Sequence, residues 1–278
     1  MEIKTLEGIP LPSIAKVFNE AFSDYSITVQ YSDTNFGYKI LSEGIDLKSS
    51  PAAFIDGQLA GFILHGLDTI NGQLRVFNAG TGVVPMHRGK RIVEQLYNFI
   101  FPVLAAQGYR HHQLEVLAGN SKAEKIYLKA GFTRSRKVVA YKGAVEKREY
   151  KDVRIDEVAT LDWDVARTFW NVEPTWQNNI HCIQRAAGNH IIVQATVEKK
   201  FAGYAVVDKI SGRIRQFAVK QEMRKKGLGR ALLSCAANEK GEVSFTNYPV
   251  SDSESVSAFT ALGLVPVVEL YEMTFVHP

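Results

Sequence analysis

Arg224, Lys225, Lys226, Gly227, Leu228, Gly229 and Arg230 bring four cations and two glycines into seven consecutive residues. Gly227 and Gly229 have no Cβ, so an anion can approach the backbone closely there. If this stretch opens a helix, its free N–H groups and the positive end of the helix dipole form a phosphate site. Arg224, Lys225, Lys226 and Arg230 add charge around it. A turn of this kind suits a pyrophosphate.

The neighbouring segments supply the helix and a strand before it. Arg215 to Val219, with Phe217 and Ala218 inside it, reads as a strand. After the turn, Leu228, Ala231, Leu232, Cys235 and Ala236 recur at helical spacing on one face. The same strand, helix and strand order runs through the whole chain. It begins with a strand over Glu2 to Leu6, a helix carrying Ile14, Val17, Phe18 and Phe22, and a second helix over Asp33 to Leu41. Asp56-Gly57 and Asn71-Gly72 are two-residue hairpin signals between strand-like runs. A long helix after Pro85 carries Val93, Leu96, Tyr97, Ile100 and Leu104, followed by a strand over His112 to Leu117. Ser121 with Glu124 makes a capping box for the next helix, which Gly131 stops. A strand through Val138 to Tyr141 closes the half.

About 135 residues on, the order repeats, the mark of an internal duplication. Leu161 to Trp170 reads as helix, His190 to Val197 opens a new sheet, and Ala202-Gly203-Tyr204-Ala205 echoes Ala60-Gly61-Phe62-Ile63. The basic loop, its helix, a strand over Glu242 to Thr246, a helix over Ser253 to Leu262 and a last strand over Val267 to Val276 follow. The charged stretch Lys142 to Arg154 is the expected linker, giving domains 1–145 and 146–278.

Composition limits what such a chain can do. Its 278 residues are enough for two cores, and 46% hydrophobic with 22% charged residues describe a folded, water-soluble protein. A net charge of +4 permits an anionic ligand without calling for nucleic acid, and aromatics do not interleave with the basic run. The two cysteines, Cys182 and Cys235, form neither a disulfide framework nor a zinc site, so no metal is expected. No membrane span or signal peptide is legible, and the expected location is the cytoplasm.

Val219-x4-Arg224-x-x-Gly227-x-Gly229 resembles the acyl-CoA loop of the GNAT superfamily of N-acyltransferases. The resemblance extends to both halves. It implies an α/β (mixed α+β) fold of two GNAT-like domains, each a mostly antiparallel twisted sheet with a splayed strand pair, flanked by helices. It also implies that acetyl-CoA (an acyl-CoA) is cosubstrate, its pyrophosphate on the loop amides and its pantetheine along Phe217, Ala218 and Val219. The first half offers a second possible cofactor site at Val83, Val84, Arg88, Gly89, Lys90, Asn120 and Tyr127, but Arg91 and Val93 replace the two glycines. That half instead keeps the family's later signature, Asn120-x-x-Ala123-x3-Tyr127-x3-Gly131-Phe132. The family's tyrosine there protonates the departing thiolate, a step open to a phenol with a pKa of about 10. In the second half the aligned residues are Asp252, Ser255, Phe259, Gly263 and Leu264, so an acid must come from elsewhere, such as Tyr248, or from water.

Family chemistry is direct attack of an amine on the thioester. Strand amides near Val83 and Val84, or near Ala218 and Val219, would polarise its carbonyl, and Glu115 on its strand is the candidate base. The expected partner is a small-molecule or protein amine. The second half is the preferred cofactor site, because fixed amides determine pyrophosphate affinity whereas the tyrosine is replaceable. A GNAT-derived sensor that binds acyl-CoA without turnover is the main alternative. A nucleic-acid-binding protein is the weaker one.

Overall fold

Two-residue turns set the meanders. Asp56-Gly57 and Asn71-Gly72 take left-handed φ at both positions (51° and 78°; 52° and 74°), the geometry whose twist matches flanking antiparallel strands. The second half makes the corresponding turn with Glu198-Lys199 at 51° and 62°, without a glycine. The computed structural model describes residues 1–146 and 153–278. The chain packs as two compact units: unit 1, residues 1–135 with 271–278, and unit 2, residues 136–270.

Unit 1 runs β1 (Glu2–Thr5), α1 (Leu11–Ala21), α2 (Asp33–Ser42), β2 (Pro51–Ile55), β3 (Gln58–Ile70), β4 (Gln73–Val83), α3 (Ile92–Ala106), β5 (His111–Leu117) and α4 (Ser121–Lys129). Its strands lie in the order β1-β2-β3-β4-β5. Pairing is antiparallel except between β4 and β5, which are parallel only over Arg75–Asn78 against His111–Leu114. Helix α1 turns Ile14, Ala15, Phe18 and Ala21 inward, and α3 buries Leu96, Tyr97, Ile100 and Leu104, as their spacing requires.

The chain enters unit 2 on β6 (Thr133–Ala144). It continues through β7 (Val153–Val158), α5 (Trp163–Ala166), α6 (Ile180–Arg185), β8 (His190–Val197), β9 (Lys200–Asp208), β10 (Ile214–Val219), α7 (Leu228–Ala236), β11 (Glu242–Pro249), α8 (Ser253–Ala261) and β12 (Val265–Val276). Strand order here is β6-β11-β10-β9-β8-β7. The helix expected over Leu161 to Trp170 is one α-turn followed by a 3-10 turn at Arg167–Phe169. Leu232, Leu233 and Phe259 have no exposed surface. Full burial of such side chains stabilises by roughly 1.5–3 kcal/mol each. Gly203 matters to this packing, because a Cβ there would lie 3.0 Å from both Ala218 O and Leu232 Cδ1. Its absence seats α7 against β9.

The units do not follow the expected domains 1–145 and 146–278. Strand β6, expected to close the first half, pairs antiparallel with β11 in unit 2. The end of β12 from Tyr271 onward belongs to unit 1, beside β5. A strand's alternation fixes which face is buried but not which neighbour supplies its hydrogen bonds. Within the expected linker, Lys142–Ala144 finish β6 and Val153 and Arg154 begin β7, while 147–152 lie outside the described residues.

Candidate active site

In unit 2, β10 and β11 run parallel, and among the described residues their register pairs only Ile214 with Phe245. Gln216 to Val219 continue along β9 alone, which leaves the other edge of β10 facing an opening. That opening is a cavity of about 750 Å³. Phe217, Ala218 and Val219 form its strand wall, and Lys225, Gly227, Gly229 and Arg230 form its basic end. Tyr248, Asp252, Asn171, Trp170, Thr175 and Asn178 line the remainder.

The basic end is built by the chain's left-handed residues. Lys225 has φ 58° and Gly227 has φ 88°, and Gly227 is the N-cap of α7 with no side-chain cap. The first N–H groups of α7 therefore lack a side-chain acceptor, whereas α8 is capped by Asp252 and α6 by Asn179. Gly229 plays a different part from Gly227. A Cβ on Gly229 would sit 3.3 Å from the Phe217 ring, so its small size lets the helix start close to β10. Leu228 is buried in the core, and Lys226 is not among the residues around the cavity.

Arg224 is expected among the cofactor's cations, but its guanidinium is committed to protein. Nε donates to Val219 O (2.9 Å), Nη2 to Phe169 O (2.8 Å), and Nη1 to Asn171 Oδ1 (2.9 Å) and Glu254 Oε2 (2.6 Å). It fastens the loop to β10, to the chain after α5 and to α8. Asn171 and Phe169 carry no sequence signal for this, because their part is played by a carbonyl and an amide reached through folding.

The residues expected as acid or base separate. Tyr248 lines the cavity, and its ring packs against Phe259, with centroids 4.9 Å apart. Its hydroxyl donates to Asp252 Oδ2 at 2.7 Å. Burial, then the neighbouring Asp252 carboxylate, push the phenol well above the ordinary tyrosine range. Burial alone would raise Asp252, but hydrogen bonds from Ser255, Asn171 and Tyr248 outweigh it and hold the carboxyl below its usual value. The pair is phenol and carboxylate at neutral pH.

In unit 1 the loop keeps the same alternation, with Gly89 at φ 79° and Arg91 at φ 55° as N-cap of α3. Only the glycine has changed places. Arg91 is exposed, Val93 is buried in the core, and Arg88 donates to Val83 O, Ala21 O and Asp24, as Arg224 does in its own unit. Asn120 caps α4 by accepting from Ala123 N. Tyr127 is buried among Tyr97 and Phe132, and burial, tempered by hydrogen bonding to Thr81 and Asn78, pushes its phenol up to about 12. Glu115 alternates with the core residues Leu114 and Val116 on β5 and so faces the other side of the strand. Val84 is buried, and Lys90 is exposed beside His87.

A sequence model of the acetyltransferase (GNAT) family matches residues 12–132 and 155–246. The chain belongs to that family. Among curated proteins no sequence matches. Solved structures agree on the fold of this GNAT protein. A GCN5-related N-acetyltransferase from Sphaerobacter thermophilus is 14% identical with a TM-score of 0.72, over 100% of this chain and 96% of that one. A tandem GNAT protein from the clavulanic acid biosynthesis pathway is 13% identical with a TM-score of 0.73, over 98% and 97%. A GCN5-related N-acetyltransferase from Anabaena variabilis is 12% identical with a TM-score of 0.63, over 98% of this chain and 72% of that one. Among the described residues no helix is long and apolar enough to cross a membrane, and no cluster of His, Cys, Asp and Glu could hold a metal ion.

Proposed function

We propose that this GNAT protein transfers an acetyl group from acetyl-CoA to a primary amine, of a small molecule or a protein, and that unit 2 does the chemistry. The cavity carries this reading. It joins uncapped helix amides, an unpaired strand edge and the Tyr248–Asp252 pair in one space, which are the three things the reaction needs. Amides of α7, with Lys225 and Arg230, would hold the pyrophosphate. The free edge of β10 would pair with the pantetheine and polarise the thioester carbonyl. Both cysteines are free thiols, which suits a reducing, cytoplasmic setting.

Steady-state release of free thiol from acetyl-CoA, measured across small-molecule and peptide amines, tests the activity. An amine that accelerates release at least tenfold over buffer is expected. Tight acetyl-CoA binding without any such amine would make the protein an acyl-CoA-binding sensor instead.

A second result distinguishes the units. Tyr127→Phe should leave kcat within about twofold, because this hydroxyl belongs to the polar cluster of Asn78, Thr81 and Tyr97, at a net cost in stability of about 1 kcal/mol. A fall of roughly 10²-fold or more, the size of a general acid's contribution, would move the chemistry to unit 1.

A further inference from the structure

Asp252 stands where the family signature has asparagine, and among the described residues it is the only one whose charge touches Tyr248 by a hydrogen bond. It is 5% exposed and lines the same cavity as Tyr248, with Oδ2 turned to the phenol and Oδ1 held by Asn171 and Ser255. The direction of that hydrogen bond is fixed, since an ionised carboxylate has no proton to give. The phenol's one proton therefore points at Asp252 Oδ2, and Oη also meets the Ser255 side chain, so its remaining lone pair is left for a donor from elsewhere. Such an oxygen is set to accept the amine's N–H.

We infer that Asp252 is a positioning residue that turns Tyr248 into a proton relay, carrying the proton of the attacking amine to the departing thiolate. This rests on the proposed acetyl transfer in unit 2. In the first step the amine nitrogen attacks the thioester carbon, the C–N bond forms and the carbonyl π pair moves to oxygen. The N–H proton passes to Tyr248 Oη as the phenol's own proton passes to Asp252 Oδ2. In the second step the carbonyl re-forms and the C–S bond breaks with its electron pair on sulfur. Asp252 then returns its proton to Oη, and Oη gives the other to sulfur. One proton has moved from nitrogen to sulfur, and both side chains are regenerated. One pair thus serves as base and acid in turn, and Phe259 needs no hydroxyl.

Two features hold the relay in place. Asp252 Oδ1 accepts from Asn171 Nδ2 at 2.9 Å and from Ser255 N at 3.1 Å, which fixes the carboxylate plane. Asn171 in turn accepts from Arg224 Nη1, so the relay is tied to the anchor of the proposed pyrophosphate loop.

Asp252→Asn keeps the helix cap, because asparagine caps as well as aspartate, yet it cannot take the proton. We expect kcat to fall by roughly 10²-fold with acetyl-CoA affinity and Tm unchanged. Tyr248→Phe should fall by a similar factor. The double variant should be no slower than the slower single, since groups that act as a unit are non-additive. A rate within threefold of wild type in Asp252→Asn, or multiplicative losses in the double variant, would overturn the relay. If wild-type protein releases no thiol with any amine, the acetyl-transfer reading itself falls and the relay with it.

Discussion

Gly227→Asp is expected to weaken acetyl-CoA binding by more than 100-fold while leaving unit 2 folded. The fold should tolerate it for two reasons, set against one modest cost. Residues with side chains already occupy left-handed positions in these loops, Lys225 in one and Arg91 in the other. Leaving glycine at such a φ costs about 1–2 kcal/mol. A carboxylate at the start of α7 also interacts favourably with the helix dipole, which returns roughly 0.3–1 kcal/mol. Binding fares differently. The new charge occupies the place of a pyrophosphate oxygen and competes for the same amides. Each charge-assisted hydrogen bond lost is worth about 1.5–3 kcal/mol, and two of them exceed a hundredfold. Arg91→Asp in unit 1 is the matched control and should leave affinity as it was. Calorimetry showing wild-type affinity in a folded Gly227→Asp protein would refute the assignment. Loss in Arg91→Asp alone would place the cofactor in unit 1.

The loop could be read from sequence because phosphate recognition by a helix start is local. Its glycines, cations and flanking strand all lie within 16 residues of one another in the segment Arg215–Arg230. The splayed strands followed from the family resemblance, and the structure shows their extent. Two features were not legible, and a third was legible only in part. The exchange of β6 and the end of β12 between units leaves no trace in either segment, since each alternates as it would in any sheet. Arg224 reads as a ligand cation, because nothing nearby in sequence marks its carbonyl and amide partners at Val219, Phe169 and Asn171. Asp252 does carry a signal, an aspartate at an asparagine position four residues after Tyr248. Its meaning depends on how the end of β11 turns into α8. Asn247 takes φ 51° there, and the register of β11 against β6 shifts between Phe245 and Tyr248.

Unit 1 should lose much of its stability on mild acidification, through two buried histidines. His65 is 1% exposed, and its Nδ1–H donates to Ser49 O at 2.8 Å, which places a proton on that nitrogen. Burial, only partly offset by that hydrogen bond, lowers its pKa to about 4. His112 is 3% exposed between Phe101 and Phe275, and its Nε2 has no partner among the described residues. Burial, then the neighbouring histidines 65, 277 and 111, lower its pKa to about 3. In the unfolded chain both rings titrate near 6.5. Below that pH the unfolded state binds protons that the folded state refuses, so stability falls with pH by up to about 1.4 kcal/mol per unit for each ring. The loss levels off only near the folded values. Between pH 7.5 and 5.0 each histidine should therefore remove about 2 kcal/mol, a large part of the roughly 5–15 kcal/mol of a typical domain. Carboxylates with lowered pKa, such as Asp24 and Glu124, lose their contribution only further down, so pH 5.0 isolates the histidines. All three tryptophans, at 163, 170 and 176, lie in unit 2, so their fluorescence does not report on unit 1. Hydrogen exchange at the β5 amides does. His112→Phe keeps an aromatic ring against Phe101 and Phe275 and removes the titration, and should cut the acid-induced loss of protection by about 2 kcal/mol. An identical pH dependence in wild type and variant would show that His112 is not buried as a neutral ring.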